Sequence, residues 1–457
     1  MVNIKRIVER QREFFHQDKT KLLKFRMEAL CRLEKSIRHH QEDIYRALKK
    51  DLNKSEFEGY MTEVGMTLAE LAYVKKHLPI WDQKQWKLSP LAQFPSSSFT
   101  VREPYGVVLV MAPWNYPFML CMEPLIGAIA GGNCCVVKPS AYAPAVSEIL
   151  SQIISEVFPE KYVAVVNGGR EENTLLLEQR FDYIFFTGGV TVGKLVMKKA
   201  AEYLTPVTLE LGGKSPCIVV KDADLSLAAR RLVFGKYLNS GQTCVAPDYL
   251  LIDEKVKEEF LCWAVYWIEK MWGKEPLDNP DYPKMINEKH YNRVLRLIDG
   301  EKVTCGGYGN RETLQITPTI LEDIKWDSPV MQEEIFGPVL PVLTYKNLDE
   351  AIEKVREREK PLACYLFTEN RQIQKKVLKQ VSFGGGCIND TIIHLATSRM
   401  GFGGVGGSGM GSYHGKKSYE TFTHEKSIVK KSTKLDLPIR YLPYTRGKEV
   451  LLKLFLR

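Results

Sequence analysis

Hydrophobic and polar positions change their rhythm once along this chain. Residues 1–80 carry long mixed-charge stretches with few Gly or Pro and read as mostly helical. Residues 81–103 break that pattern with LSPLAQFPSSS, which reads as a turn or crossing segment. From residue 106, short apolar, β-branched runs alternate with helix-length segments: VVLVMA (107–112), CCVVK (134–138), AVVNG (164–168), YIFFTG (183–188), VTLEL (207–211) and CIVV (217–220). Alternation of this kind predicts βαβ units and a parallel sheet. A second series follows the loop at 239–247: YLLID (249–253), a helix over 254–272, VLPVLTY (339–345), a helix over 348–358, ACYLFT (363–368) and GGGCIN (384–389). Two α/β domains are expected, meeting near 210–245, with ligands beyond the carboxyl ends of the strands.

Composition narrows the picture. Of 457 residues, 44% are apolar and 26% charged, ordinary values that exclude disorder, collagen and a disulfide miniprotein. The formal charge is +9, but residues 426–457 carry nine Lys/Arg against two Asp/Glu and so hold +7 of it. The body therefore lacks the basic face of its own that a nucleic-acid partner would require. None of the ten cysteines sits in a CxxC or Cys/His pattern, so no metal site is expected, and their use fits a reducing, cytoplasmic setting. The opening MVNIKRIVERQREFF has no apolar signal-peptide core. The uncharged run 104–122 is interrupted by Pro113, Asn115 and Pro117, which favours a buried strand, a loop and a helix over a membrane span. The end of the tail, EVLLKLFLR (449–457), sets leucines beside Lys453 and Arg457. Two readings stand for it: packing on a dimer partner, or weak peripheral contact with an anionic membrane.

Four places could carry chemistry. Cys244, in NSGQTCVAPD (239–248), lies in a Gly/Ser/Asn loop where a thiolate nucleophile could be exposed. A structural cysteine is the alternative, and no His is near it in sequence. Glu210, in VTLELGGKSP, ends an apolar strand before two glycines. Partial desolvation there would raise its pKa and suit a general base, and a carboxylate capping a turn is the alternative. In PWNYP (113–117) two prolines fix Asn115, whose carboxamide could stabilise an oxyanion, or the motif is only a rigid turn. TGGVTVGK (187–194) is a glycine-rich strand-to-helix turn suited to phosphate, although it lacks the G-x-G-x-x-G order. The segment 401–415 has eight glycines interleaved with Phe402, Val405, Met410, Tyr413 and His414, and reads as an ordered, tightly turning loop rather than a linker.

In order and at these separations, PWNYP, KPS (138–140), LELGGKSP, GQTC and EEIFGP (333–338) resemble the aldehyde dehydrogenase superfamily. The resemblance covers about residues 5–445, and GQTCVAPDY with GFGGVGGSGMGSYHGKKSYETFTH (401–424) is similar to its class 3 branch. It implies a dinucleotide-binding domain (1–80 and 104–210) and a catalytic domain (211–419), both Rossmann-like. It also implies a bridging, dimerising segment (81–103 and 420–440) and leaves a basic tail from 441. It implies NAD or NADP as cofactor, an aldehyde substrate and a homodimer. Cys244 would attack the aldehyde, Asn115 and the Cys244 N–H would hold the oxyanion, and Glu210 would activate the water that hydrolyses the thioester. Glu334 would bind the nicotinamide ribose and Phe336 would pack near the ring. Lys138 would contact the adenosine ribose, and Ser140 would also bind the cofactor. Gly188, Gly189 and Gly193 would lie at the pyrophosphate, with Leu211 and Gly212 also lining the cofactor.

Three positions depart from the common pattern. Ala141 follows KPS where many relatives have Glu, Gly189 stands for a common Ser, and Met400-Gly401 replace Leu-Pro. The first bears on cofactor choice: without a carboxylate, NADP should be accepted at least comparably to NAD. Class 3 resemblance implies medium- or long-chain aliphatic or aromatic aldehydes, with Tyr116, Thr391, Ile392 and Ile393 as wall candidates. Two other functions compete: a CoA-acylating relative, against which Glu210 counts, and a catalytically silent homologue, against which the joint presence of Cys244, Asn115, Glu210 and Glu334 counts.

Overall fold

The computed structural model describes residues 3–456; Met1, Val2 and the Arg457 of the basic tail lie outside the described residues. The N-terminal region is helical, as its pattern predicts. In the helix Ile4–Phe15, the residues Ile4, Ile7, Val8, Gln11 and Phe14 recur at helical spacing and are buried, while Asn3 caps the first turn. The helices Leu23–His39, Gln41–Leu52 and Gly65–Trp81 follow.

Five parallel strands form the centre of the first sheet, in the order Val163–Val165, Cys134–Lys138, Val107–Met111, Tyr183–Thr187, Val207–Glu210. Every residue of Val107–Met111 and Cys134–Lys138 is buried, the expected state of strands covered on both faces. Chain order reverses beside Val107–Met111, so the crevice for a ligand lies past the carboxyl ends of the central strands. Asn115, Lys138, Gly188 and Leu211 all stand at or just beyond those ends.

The second sheet has seven strands, ordered Lys302–Cys305, Thr319–Glu322, Val339–Tyr345, Tyr249–Asp253, Pro216–Val219, Ala363–Phe367, Gly385–Ile388, all parallel except the first pair. Cys244 and Glu334 precede Tyr249–Asp253 and Val339–Tyr345, so they lie on loops that enter this sheet. Residues 81–103 are more than a crossing segment. Gln85–Lys87, Ser96–Pro104 and Thr423–Lys431 form a third, antiparallel sheet, in register from Thr423↔Pro104 to Lys431↔Ser96.

The glycine-rich loop is ordered. Phe402 and Tyr413 exchange both backbone hydrogen bonds at 2.9 Å. Gly409–Met410 then pairs with Val207–Glu210 at the edge of the first sheet. Gly409 has φ +139°, and a Cβ there would lie 2.1 Å from the Leu209 carbonyl, so only glycine allows this approach. The loop therefore returns to the first sheet, although its place in the sequence sits among elements of the second.

Candidate active site

The loop carrying Cys244 is held by its backbone. After the helix Leu225–Tyr237, Asn239 and Ser240 both take left-handed angles, φ +52° and +53°, and Gly241 follows at +71°. Strain of this kind persists only where surrounding contacts over-determine it. Gln242, fully buried, supplies some of them. Its Nε2 donates to the Asn239 and Lys284 carbonyls at 3.1 and 3.0 Å, and its Oε1 accepts from Ile286 N at 3.0 Å. The hydroxyls of Thr243 and Tyr116 are 2.6 Å apart. Asp248 closes the far end of the loop: it accepts from Ile335 N at 3.0 Å and pairs with Lys214 Nζ at 2.5 Å.

Cys244 is half-buried and lines two cavities. Burial pushes its thiol up to about 12, and the charges of Glu334 and Glu210 push the same way. The backbone N–H groups of Cys244 and Val245 oppose them by favouring the thiolate. At neutral pH the resting group is therefore the thiol.

The first cavity, about 150 Å³, is almost wholly apolar; Met61, Met119, Phe234, Ile392 and Phe402 are among its walls, and Cys244 is another. Tyr116, Ile392 and Ile393 line it as expected. Thr391 does not: it is buried, and its hydroxyl donates to the Arg231 carbonyl at 2.7 Å, which turns it into a loop anchor. Ile392 holds φ +50°, a costly angle for a β-branched residue.

The second cavity, about 440 Å³, is more polar than the first, with Asn115, Thr187, Thr191, His290, Arg293, Glu333 and Glu334 set among apolar walls. It is lined by Asn115, Gly188, Gly189, Leu211, Gly212, Glu334 and Phe336 of the sequence-predicted set. Gly189 begins the helix Val190–Ala201, has no side-chain cap bond and meets nothing within 4 Å of a built Cβ. Its helix N-terminus is thus an open anion site. Gly193 lies one turn in, where a Cβ would meet Leu211 at 2.7 Å. Gly212 leaves room for the Glu334 carboxylate, since a Cβ would lie 2.0 Å from Oε2. Burial, and then Asp248, push Glu334 up to about 8. Phe336 stands edge-on to Trp114 at 5.3 Å.

Lys138 and Ser140 lie outside this lining. Lys138 is buried, donates to the Pro139 carbonyl at 2.7 Å and has its pKa lowered by burial, so it is no free surface cation. Ser140 accepts from Tyr142 N at 3.3 Å and from Ser147 Oγ at 3.0 Å. Ala141 is exposed beside it.

Asn115 is 2% exposed, and its Nδ2 donates to the Gln242 carbonyl at 3.0 Å, which leaves one amide N–H uncommitted. Glu210 is also 2% exposed, but it lines neither cavity and neither carboxyl oxygen has a partner. Desolvation alone raises its pKa well above the carboxylate range. Sequence reading missed Trp114, His290 and Arg293, which also line the second cavity. Burial lowers His290 to about 4, so it is neutral there, and its Nδ1 lacks a partner. The helix Glu288–Arg296 that carries His290 and Arg293 has no chemistry-bearing motif, so only tertiary placement reveals them, whereas Trp114 stands in PWNYP beside Asn115.

Residues 2–428 match the model of the aldehyde dehydrogenase family. The 4,4'-diaponeurosporen-aldehyde dehydrogenase of Staphylococcus aureus (strain NCTC 8325 / PS 47) is 46% identical over 97% of both chains. The "aldehyde dehydrogenase, dimeric NADP-preferring" of Canis lupus familiaris is 43% identical over 97% of this chain and 98% of its own. A solved structure titled "Substrate bound state of Staphylococcus Aureus AldH" superposes with a TM-score of 0.98, at 45% identity and full coverage of both chains.

Proposed function

The chain belongs to the aldehyde dehydrogenase family, and we propose that its substrates are apolar aldehydes of medium or long chain, or aromatic ones, attacked by Cys244. The reaction is the NAD(P)-dependent oxidation of an aldehyde. The observation that carries the substrate proposal is that an almost wholly apolar cavity and a larger, more polar one meet at the Cys244 thiol. An apolar chain gains roughly 0.8 kcal/mol for each methylene it buries in the first cavity.

The second cavity fits a nicotinamide dinucleotide on its own geometry: an open helix N-terminus at Gly189 for the pyrophosphate, and the Gly212 gap that admits the Glu334 carboxylate. When bound, the nucleotide accepts the hydride that leaves the substrate carbon. The rest falls to this chain's residues. The Cys244 thiol gives its proton to water as Sγ bonds to the carbonyl carbon, and the oxygen that gains charge faces the free Asn115 N–H and the Cys244 N–H. Loss of hydride leaves a thioester on Cys244. Glu210, once rotated into the cavity and hydrated there so that it ionises, takes a proton from water as the water oxygen bonds to the acyl carbon. The C–S bond then breaks and the sulfur leaves with its electron pair. Lys138 stays assigned to the adenosine end and Ser140 to the cofactor, through the strand end they shape rather than by a free charge.

The test is a series of linear aldehydes of rising length with NAD or NADP, followed by absorbance of the reduced nucleotide. kcat/KM rises with length until the cavity is full, and Cys244→Ala loses at least ~10³-fold while unfolding at the parent temperature. A flat length series sinks the substrate class. Turnover by Cys244→Ala sinks the nucleophile.

We further propose two units, one around each large sheet, and a homodimer formed through the third sheet and the C-terminal segment. The helix Arg446–Phe455 leaves Val450, Leu451 and Leu454 exposed, next to the exposed Leu442 and Tyr444. Relatives whose names call them dimeric support this reading. Among the described residues, no helix is long and apolar enough to cross a membrane. Sedimentation of the full chain against a 1–440 truncation decides. The truncated chain should dissociate at lower dilution. Equal dimers, with only the full chain pelleting on anionic vesicles, would give the tail to a lipid surface instead.

A further inference from the structure

Asn115 sits on a buried ion pair that the chemistry above does not use. Asn53 ends the helix Gln41–Leu52 in a left-handed angle, φ +57°, and turns Lys54 inward. The π turn Tyr60–Val64 presents Glu63, and π turns interrupting helices concentrate at functional sites. The side chains of Lys54 and Glu63 are completely buried, with Nζ 2.6 Å from Oε1. Both ions reach past each other into the active-site wall. Lys54 Nζ donates to the Asn115 backbone carbonyl at 3.1 Å and stands 4.0 Å over the Tyr116 ring. Glu63 Oε2 accepts from Phe118 N at 3.0 Å and Met119 N at 2.9 Å, at the start of the helix Met119–Gly131.

The pair therefore holds Asn115 itself and the two residues, Phe118 and Met119, that follow PWNYP. The same Asn115 carbonyl accepts from Asn239 Nδ2 at 2.8 Å, and the Asn115 side chain reaches the Gln242 carbonyl. Tyr116, under the Lys54 ammonium, holds Thr243, the neighbour of Cys244. A donor aimed at an oxyanion works only if its direction is fixed before the charge develops. A flexible chain cannot fix it, and a buried ion pair on the backbone of that very residue can.

We propose that Lys54 and Glu63 are positioning residues that fix the Asn115 carboxamide for the oxyanion. This rests on the assignment of Asn115 and Cys244 made above. Neither ion touches substrate or nucleotide space, since neither lines either of the two cavities at Cys244. The pair also touches Tyr116 and Met119 of the apolar cavity, but its route to the oxyanion runs through Asn115.

Removing one partner alone leaves a buried, unpaired charge and destabilises the fold. The informative variant is therefore the charge-neutral Lys54→Met/Glu63→Gln, in which Gln can still accept from the two backbone amides. It is compared in the full chain with Asn115→Ala and with the triple substitution, by kcat for an apolar aldehyde, KM for the nucleotide and the unfolding midpoint. Asn115→Ala should lower kcat about 10²–10³-fold. The neutral double variant should fold, lose ~10-fold or more in kcat and keep the nucleotide KM within about twofold. The triple variant should lose no more than Asn115→Ala, because the pair has nothing left to aim. Parental kcat in a folded double variant overturns the proposal. So do losses that multiply in the triple variant, a nucleotide KM that rises in step with the loss, or a double variant that cannot fold. If Asn115→Ala itself is harmless, the site assignment falls too.

Discussion

The two cavities that meet at Cys244 are made of different material. The more polar one takes one wall from backbone at strand ends: Gly188, Gly189, Leu211 and Gly212 all follow parallel strands of the first sheet, and glycine lets the main chain or a neighbouring carboxylate approach. The apolar one is built from side chains drawn from segments far apart: Met61, Met119, Phe234, Ile392 and Phe402. Backbone recognises what every nicotinamide nucleotide shares, its phosphates and riboses. Side chains recognise what differs between aldehydes. The first cavity to change with substrate should therefore be the apolar one, at little cost to nucleotide binding.

That separation can be broken on either side. Ile392→Ala widens the apolar cavity and removes a strained β-branched residue. It should lower kcat/KM for a long-chain aldehyde by about 5–30-fold, from roughly 1–2 kcal/mol of lost apolar contact. Short aldehydes and the KM for nucleotide should stay near parental values. Steady-state kinetics on a long and a short substrate reads this, and equal loss on both would mean that the cavities are coupled. Ala141→Glu works on the polar side with a smaller effect. A carboxylate at this exposed position should repel a 2′-phosphate and hydrogen-bond an unmodified ribose. The NADP value of kcat/KM should fall several-fold more than the NAD value, with the chain-length profile unmoved. An unchanged ratio, or a parent strictly dependent on NAD, would remove Ala141 from cofactor choice.

The same contrast explains what the sequence could and could not show. Continuous apolar runs such as VVLVM and CCVVK become central strands because both faces are covered, so pattern alone places them. Strand Ser96–Pro104 begins with three serines and lies in a largely exposed antiparallel sheet, so its pattern reads as a break. Short motifs located Cys244, Asn115 and the glycine turns because backbone geometry demands particular residues there. Lys54 and Glu63 look like two charges on a solvated helical face, and only tertiary packing buries them. Lys138 carries a recognisable motif, but its contact with the Pro139 carbonyl is invisible from the chain alone.

The covalent step at the junction is open to one direct measurement. In Glu210→Gln the base is lost while the shape is kept, so the thioester should form and persist. Rapid mixing with NADP and a long-chain aldehyde should give a burst of reduced nucleotide near one per active site. Intact-mass and peptide analysis of the quenched protein should place one acyl group on the peptide containing Cys244. An acyl group on another residue, or a burst with no acyl-protein, would contradict the assignment of Cys244 and Glu210.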